Sequence, residues 1–510
     1  MRKTVKILFF LFLTVNLHAQ KPGWKNVLEH GARTDGEYLN TEVIRELIEA
    51  ASQEGGGTLY FPAGDYLTGP IHLKSNITIY LEAGATLRFS NDFDHYLPMV
   101  PSRWEGTTVV NFSPLIYAYE AENITITGRG TLDGQGKKWW DYHHFLYSQP
   151  KTFKSKWQQL FAENNPDVLL PDIPDMVTRG FLRPPFIQPM YCKNIRIEGI
   201  TIINSPFWTV NPQFSENITI DGVTINNPKS PNTDGINPES CKYVHISNCH
   251  ISVGDDCITI KSGKDRSGRA EAAPCENITI TNCTMLSGHG GVVIGSEMSG
   301  DVKKVTISNC VFEGTDRGIR IKSTRGRGGV VEDIRVSNVI MKDIREEAIK
   351  LNMYYSKTEY EPVSERTPVF RNIHFSGITG NAKQAGFLLG LDEMPISNIS
   401  FTDIRINGEI GFTVKDAEDI SFHNVQMNAF NGPALAIEKS KYIEINALSS
   451  NSPLAGTPVI KLDGVHNASI MNCFQPRETD IFIQQSQSCQ DIVIQNNVLP
   501  GVKKEVELLK

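Results

Sequence analysis

Along the 510-residue chain, apolar and polar positions alternate in short runs, and one run keeps returning. It reads Asn-Ile-Thr-Ile from Asn123, Asn217 and Asn277, and Asn-Ile-Arg-Ile from Asn194. Related forms start at Tyr243, Lys304, Asp333, Asn372, Asn398, Asp419, Tyr442 and Asp491. From Asn194 onward most neighbouring starts lie 21 to 29 residues apart, with longer gaps of 34 and 39. Alternation at period two is a strand with one buried face. Many copies then carry Gly, Asn or Asp and a second alternating run, as in Gly222-Val-Thr-Ile225, which is a bend followed by another strand. No helical stretch separates the copies, which excludes βαβ architectures. One such coil cannot bury its own interior, whereas stacked coils share a continuous core. The pattern predicts an all-β fold, a single-stranded right-handed parallel β-helix. Leucine-rich and propeller repeats share the period, but their Leu/Asn frame and blade motifs are missing.

The first coil needs a cover, or it exposes an unpaired edge. Residues 40–51 supply one, an amphipathic N-terminal capping helix with Asn40 as its cap and Val43, Ile44, Leu47, Ile48 and Ala51 on one face. Residues 20–110 are read as this cap with the first coils, and 111–510 as the catalytic β-helix. The repeat lapses at about 139–189, too long for an ordinary connection, and Trp139, Trp140, Tyr142, Trp157 and Phe161 predict an ordered insertion with helix near 153–161. A smaller excursion covers 354–368.

Residues 1–19 differ from the rest: Arg2, Lys3 and Lys6, then an apolar run to Val15, then Leu17-His18-Ala19. This is the form of a secretory signal peptide. No later run is long enough to span a bilayer, so no transmembrane anchoring is expected. Losing the leader's three cations takes the formal charge from −7 to −10, which disfavours nucleic acid as a partner. The nine cysteines include no zinc-knuckle spacing, and Cys249, Cys283 and Cys310 recur at one phase of the repeat, as stacked core residues would. No cofactor or metal is implied, and a monomer is expected.

Candidate chemistry gathers on consecutive coils. They read Asn232-Thr-Asp-Gly235, Gly254-Asp-Asp256, Gly288-His-Gly290 and Arg320-Ile-Lys322. Aligning the Ile-Lys-Ser and Ile-Gly-Ser endings stacks Asp255, His289 and Asp316, places Asp256 over Gly290 and Lys261 in line with Lys322, and sets Asp234 beside Asp256. Adjacent coils lie about 4.8 Å apart, so distant residues converge into one patch. Repulsion among three carboxylates keeps at least one protonated, the division of labour that glycosidic cleavage requires. Clustered Asp also suits calcium, but a neighbouring His and cations fit an acid–base site for a carboxylated sugar better. The glycines around His289 predict a close backbone approach in the cleft. Arg320 and Lys322 alternate with Ile319 and Ile321 and should point outward.

These four motifs, in this order and register, resemble those of the polygalacturonase family of glycoside hydrolases, family 28, and the similarity covers essentially the whole mature chain. The resemblance implies inverting hydrolysis of α-linked galacturonic acid in pectin. It implies Asp255 as general acid, Asp234 and Asp256 orienting and deprotonating water, His289 beside the acid, and Arg320 and Lys322 on the sugar carboxylate. Asn232 belongs to the same motif. Lys261, Arg266 and Arg269 follow the paired aspartates on a Gly-containing loop and are expected as further substrate-binding cations. This loop resembles exo-acting members, which release galacturonic acid from the non-reducing end. Endo-cleavage and hydrolysis between galacturonate and rhamnose are the alternatives. A pectate lyase and a non-catalytic binding β-helix explain the solenoid but not the three aspartates. Resemblance to bacterial pectin-processing enzymes favours the periplasm over the extracellular space.

Overall fold

A computed structural model of the chain describes residues 23–150, 153–168, 183–228 and 230–509; the leader lies outside them. The ladders form a parallel β-helix. Ile218 stacks on Val244, then Ile278, Val305 and Ile334, one per coil. These side chains are buried, while the intervening Thr219, His245 and Thr279 face outward. The main apolar core runs from Val27 to Ile483, and a small second cluster joins Val109 and Phe161.

The repeated Asn has a conformational reason. Asn194, Asn217 and Asn277 have φ of 57°, 58° and 60°, left-handed backbone that Asn tolerates better than most residues. Their amides also stack: Asn194 Nδ2 donates to Asn123 Oδ1 at 2.9 Å and Asn217 Nδ2 to Asn194 Oδ1 at 3.2 Å. The bend before the second strand repeats the device, with Asn248, Asn282 and Asn309 at φ near 56°. Cys249, Cys283 and Cys310 are buried on consecutive coils, and Phe375, Phe401 and Phe422 form a ring stack at 5.1 and 5.0 Å.

The capping helix is Thr41–Gln53 and buries Ile44, Leu47, Ile48 and Ala51, with Val43 at the edge. Asn40 does not cap it through its side chain. That side chain is buried instead, its Oδ1 accepting from Arg33 N and its Nδ2 donating to the carbonyls of Arg33, Tyr38 and Leu67. It ties the entering chain to the first coils.

The insertion contains two helices, Lys137–Ser148 and Lys156–Asn164. The first was not legible from periodicity, and the second begins three residues later than expected. Trp139 is fully buried against Phe93, Tyr96 and Phe112. Trp140 Nε1 donates to Ser205 O at 3.0 Å, and Trp157 packs on Phe93. Asn165 bonds both N and O of Val110, which fastens the second helix to an antiparallel hairpin of Val100–Trp104 and Thr107–Asn111. Among the described residues no helix is long and apolar enough to cross a membrane.

Candidate active site

Stacking brings the motifs together in the expected register. Ile236 bridges Ile258, and Gly235 N donates to Asp256 O at 3.0 Å, which sets Asp234 beside Asp256. Asp256 pairs with Gly290, and Arg320 and Lys322 lie over Val293 and Gly295 on the next coil. His289 N donates to Asp255 O at 2.9 Å.

One carboxyl oxygen from each of Asp234, Asp255 and Asp256 lies within 4.8 Å of the others. Their surroundings differ. Asp234 is 3% exposed, and its Oδ2 accepts from Asn237 Nδ2 at 2.9 Å and Thr259 Oγ1 at 3.2 Å. Burial, and then the charge of Asp255, push its carboxyl well above the usual range. Asp256 is as deeply buried, which alone would raise it. The charges of Lys322, Arg320 and Lys261 outweigh that and hold it below its ordinary value; Lys322 Nζ donates to its Oδ2 at 2.8 Å. Its Oδ1 is buried with no protein partner. Asp255 is the member that reaches the groove, with its side chain 21% exposed. Its Oδ1 accepts from Asp256 N at 3.0 Å and lies 3.1 Å from His289 Nδ1, a contact that raises the imidazole's pKa. A carboxyl whose pKa is pushed up and one whose pKa is held down thus sit side by side beneath a more open third. The trio is a poor cation cage: Lys322 already neutralises Asp256, Asn237 and Thr259 occupy Asp234, and three cationic side chains oppose a divalent ion.

Arg320 is part-exposed beside Lys322, with a buried Nε that has no protein partner. Three other expected cations are placed differently. Lys261 is 4% exposed, donates to Glu297 Oε2 at 2.8 Å and lies 4.5 Å from the Trp208 ring. Burial alone would lower its pKa, but Glu297 and Asp234 raise it, so it is a structural cation rather than a free one. Arg269 and Arg266 sit on a short helix, Asp265–Glu271, not on an open loop. Arg269 Nη1 donates to the carbonyls of Gly326 and Arg327, and Arg266 lines a separate groove with Val110 and Asn165. Of the glycines flanking His289, Gly288 serves the solenoid, since a Cβ there would meet Asp255 O at 2.5 Å and Cys257 Sγ at 2.9 Å, whereas a Cβ on Gly290 would lie 3.2 Å from Asp256 Oδ1 in the site.

Comparison with known proteins identifies this arrangement. Residues 178–418 match the model for glycosyl hydrolases family 28. A probable polygalacturonase of Vitis vinifera is 33% identical over 412 residues, 78% of this chain and 78% of its own length. The chain belongs to glycosyl hydrolase family 28. It is therefore a glycoside hydrolase. An endo-polygalacturonase of Pectobacterium carotovorum subsp. carotovorum is 30% identical, over 74% of this chain and 86% of its own. The crystal structure of a hyperthermoactive exopolygalacturonase from Thermotoga maritima superposes with a TM-score of 0.71 at 36% identity, covering 79% of this chain and 91% of its own. Residues 24–153 also match a rhamnogalacturonase A/epimerase, pectate lyase-like model.

The candidate site has walls that no motif announced. Arg183 is 1% exposed; its guanidinium donates to the carbonyls of Pro206 and Pro231 and to Asn232 Oδ1, and lies 5.0 Å from the Phe207 ring. It fixes the turn that delivers Asp234, with Asn232 in left-handed backbone at φ 55°. Hairpin 100–111 packs along several coils, including that of Asp234: Ser102 donates to Gln188, and Arg103, fully buried, pairs with Glu239 at 3.2 Å. On the other side, Tyr355 of the 354–368 excursion stands 5.5 Å from Arg320 and 5.3 Å from Lys322. Of these residues, only Trp208 and Glu297 had a signal in the repeat. Carrying the frame one coil back from Asp234 reaches Trp208, and extending the Ile294-Gly-Ser phrase by one residue reaches Glu297.

Proposed function

We propose that the protein hydrolyses α-linked galacturonic acid from the non-reducing end of pectic chains, with inversion at the anomeric carbon. The observation that carries this reading is the carboxyl trio beneath Arg320 and Lys322. Asp255, the exposed member, gives its proton to the leaving glycosidic oxygen. Asp256, held ionised by Lys322, takes a proton from water as that water attacks the anomeric carbon, while Asp234 orients it. His289 steadies Asp255, and Arg320, with the unused donors of Lys322, receives the sugar carboxylate. Removal of terminal units is supported by the Thermotoga exopolygalacturonase, and hairpin 100–111, which packs on the trio's own coils through Glu239 and Lys264, is the element suited to limit the groove on that side. The insertion's Trp139 and Trp157 are engaged in packing, so they brace this wall rather than offer faces to sugar. The leader-like 1–19 supports export, to the periplasm in the first instance.

A carboxyl separation of about 5 Å usually accompanies retention, because no water fits between acid and base. Inversion is nonetheless expected from the family 28 resemblance, with Asp256 Oδ1, buried and without a protein partner, as the atom left to bind the attacking water. Proton NMR during hydrolysis of trigalacturonate should show the β-anomer first; an initial α-anomer would make one aspartate a nucleophile. On polygalacturonate, galacturonic acid should accumulate early with little loss of viscosity. The Pectobacterium relative makes endo-cleavage the second reading, and rapid viscosity loss with mixed oligomers would establish it. Cleavage confined to rhamnose-containing junctions would move the substrate assignment. Arg320→Ala is expected to lower kcat/KM on galacturonate oligomers by about 10- to 150-fold, the worth of a charged hydrogen bond, while leaving the melting temperature nearly unchanged. A wild-type rate would remove Arg320 from the carboxylate site.

A further inference from the structure

The 354–368 excursion carries Tyr355 to the cationic side of the site, and what holds it there lies outside the motifs. Lys322, Asn352 and Leu389 pair in register on three consecutive coils, and the chain leaves the ladder after each of them. After Lys322 it makes the turn that carries Arg325, and after Asn352 it enters the excursion. After Leu389 it makes a tight turn that carries Glu393, closed by paired hydrogen bonds between Leu391 and Met394.

Arg325 and Glu393 meet across the middle coil. Arg325 Nε donates to Glu393 Oε1 at 2.5 Å and Nη2 to Oε2 at 2.8 Å, a two-point contact between side chains that are 5% and 6% exposed. The root of the excursion is held against this pair. The Tyr354 ring lies 5.0 Å from the guanidinium, its hydroxyl accepts from Nη2 at 3.3 Å, and Tyr360 stands 5.8 Å from the same group. The backbone is tied to the Arg325 turn as well: Tyr355 N donates to Ser323 O at 2.9 Å, and Thr324 Oγ1 to Ser356 O at 3.2 Å. A buried ion pair adds little net stability over apolar packing, so what it chiefly supplies is geometry.

That geometry bears on Tyr355. Its chain neighbours on both sides are fixed, while its own side chain is 45% exposed and its ring lies 5.5 Å from the Arg320 guanidinium and 5.3 Å from Lys322 Nζ. Long cationic side chains lose rotamer freedom when they bind a carboxylate, and a ring already held beside them reduces that loss. We propose that Arg325 and Glu393 are positioning residues for the substrate carboxylate: by clamping the excursion they hold Tyr355 beside Arg320 and Lys322, so that both cations are set before the sugar arrives. This rests on the reading of Arg320 and Lys322 as the carboxylate site and extends it to a pair that touches no sugar.

The test is steady-state kinetics on trigalacturonate with a double-mutant cycle. Glu393→Gln should raise KM about five- to tenfold and leave kcat nearly unchanged, the mark of binding lost equally from ground and transition states. Glu393→Asp keeps the charge, shortens its reach and should give a smaller shift in the same direction. In a Tyr355→Ala background, adding Glu393→Gln should move KM little further, because the ring it acts through is gone. Melting temperatures report folding, and a pair that served stability alone would lower them without splitting KM from kcat. If Arg320→Ala turns over trigalacturonate at the wild-type rate, the carboxylate reading falls and the clamp with it. If Arg320→Ala is impaired but both Glu393 variants keep the wild-type KM, or if the Glu393→Gln effect multiplies in full with that of Tyr355→Ala, the clamp alone falls.

Discussion

Asp255→Asn is expected to lower kcat by about 10²–10⁴-fold on oligogalacturonates, with KM changed little. The substitution keeps size and the acceptor for Asp256 N, so the fold and substrate binding should survive. What it removes is a proton that can be delivered to the leaving oxygen. Only this member of the trio combines reach into the groove with a second carboxyl oxygen that no protein donor is seen to hold. Asp234 is turned inward by Asn237 and Thr259, and Asp256 is tied to Lys322. One secondary effect separates loss of chemistry from loss of structure: the His289 imidazole, raised first by its bond to Asp255, should titrate nearer its ordinary value, which NMR can follow. More than a tenth of wild-type turnover in this variant would end the assignment of Asp255 as the acid.

Much of this was legible in the sequence because a solenoid converts spacing into position. The Asn-Ile-Thr-Ile phrase carries its own geometry: the left-handed Asn turns the chain, and its amide bonds the next coil. Counting from one phrase to the next therefore placed Asp234, Asp255, Asp256, His289, Arg320 and Lys322 in one patch. Period alone shows which way a side chain points, not what waits for it there. Lys261 is in register with Lys322, yet Glu297 meets it and closes it off. Arg269 is on the right segment, but carbonyls of the 326–327 turn reach it first. The excursions are the harder case. Arg183, Arg103, Glu105 and Tyr355 lie outside the repeat, and their contacts with Asn232, Glu239, Lys264 and Arg320 depend on how loops fold back over the coils. The insertion's tryptophans signalled order, but whether a ring packs or faces a sugar depends on a partner such as Phe93, many residues earlier.

Lys322→Met should cost stability and activity together, and their pH dependences should differ. Asp256 is 1% exposed, and its pKa is held down by Lys322 ahead of Arg320 and Lys261. Methionine fills much of the lysine's volume but leaves a buried carboxylate without its hydrogen-bonded cation. Breaking a buried pair from one side costs about 3–5 kcal/mol at neutral pH. The sign follows from the lowered pKa of Asp256. Such a group stabilises the folded state above the carboxylate's unfolded pKa of about 4, and the contribution is lost as pH falls through the folded value. The melting-temperature gap between wild type and variant should therefore be largest at neutral pH, begin to narrow where the variant's Asp256, raised by burial without Lys322, takes up its proton, and go on narrowing down to the lowered wild-type value. Activity should behave differently. Without Lys322, Asp256 binds its proton more tightly, so the acid limb of the kcat profile should move to higher pH as well as losing amplitude. Lys322→Arg, which restores a cation, should recover most of the stability and return the limb toward its original position. A stability gap that stayed constant from pH 7 to pH 3.5, with an unmoved acid limb, would show that Lys322 serves packing alone and that Asp256 is not the base it holds ionised.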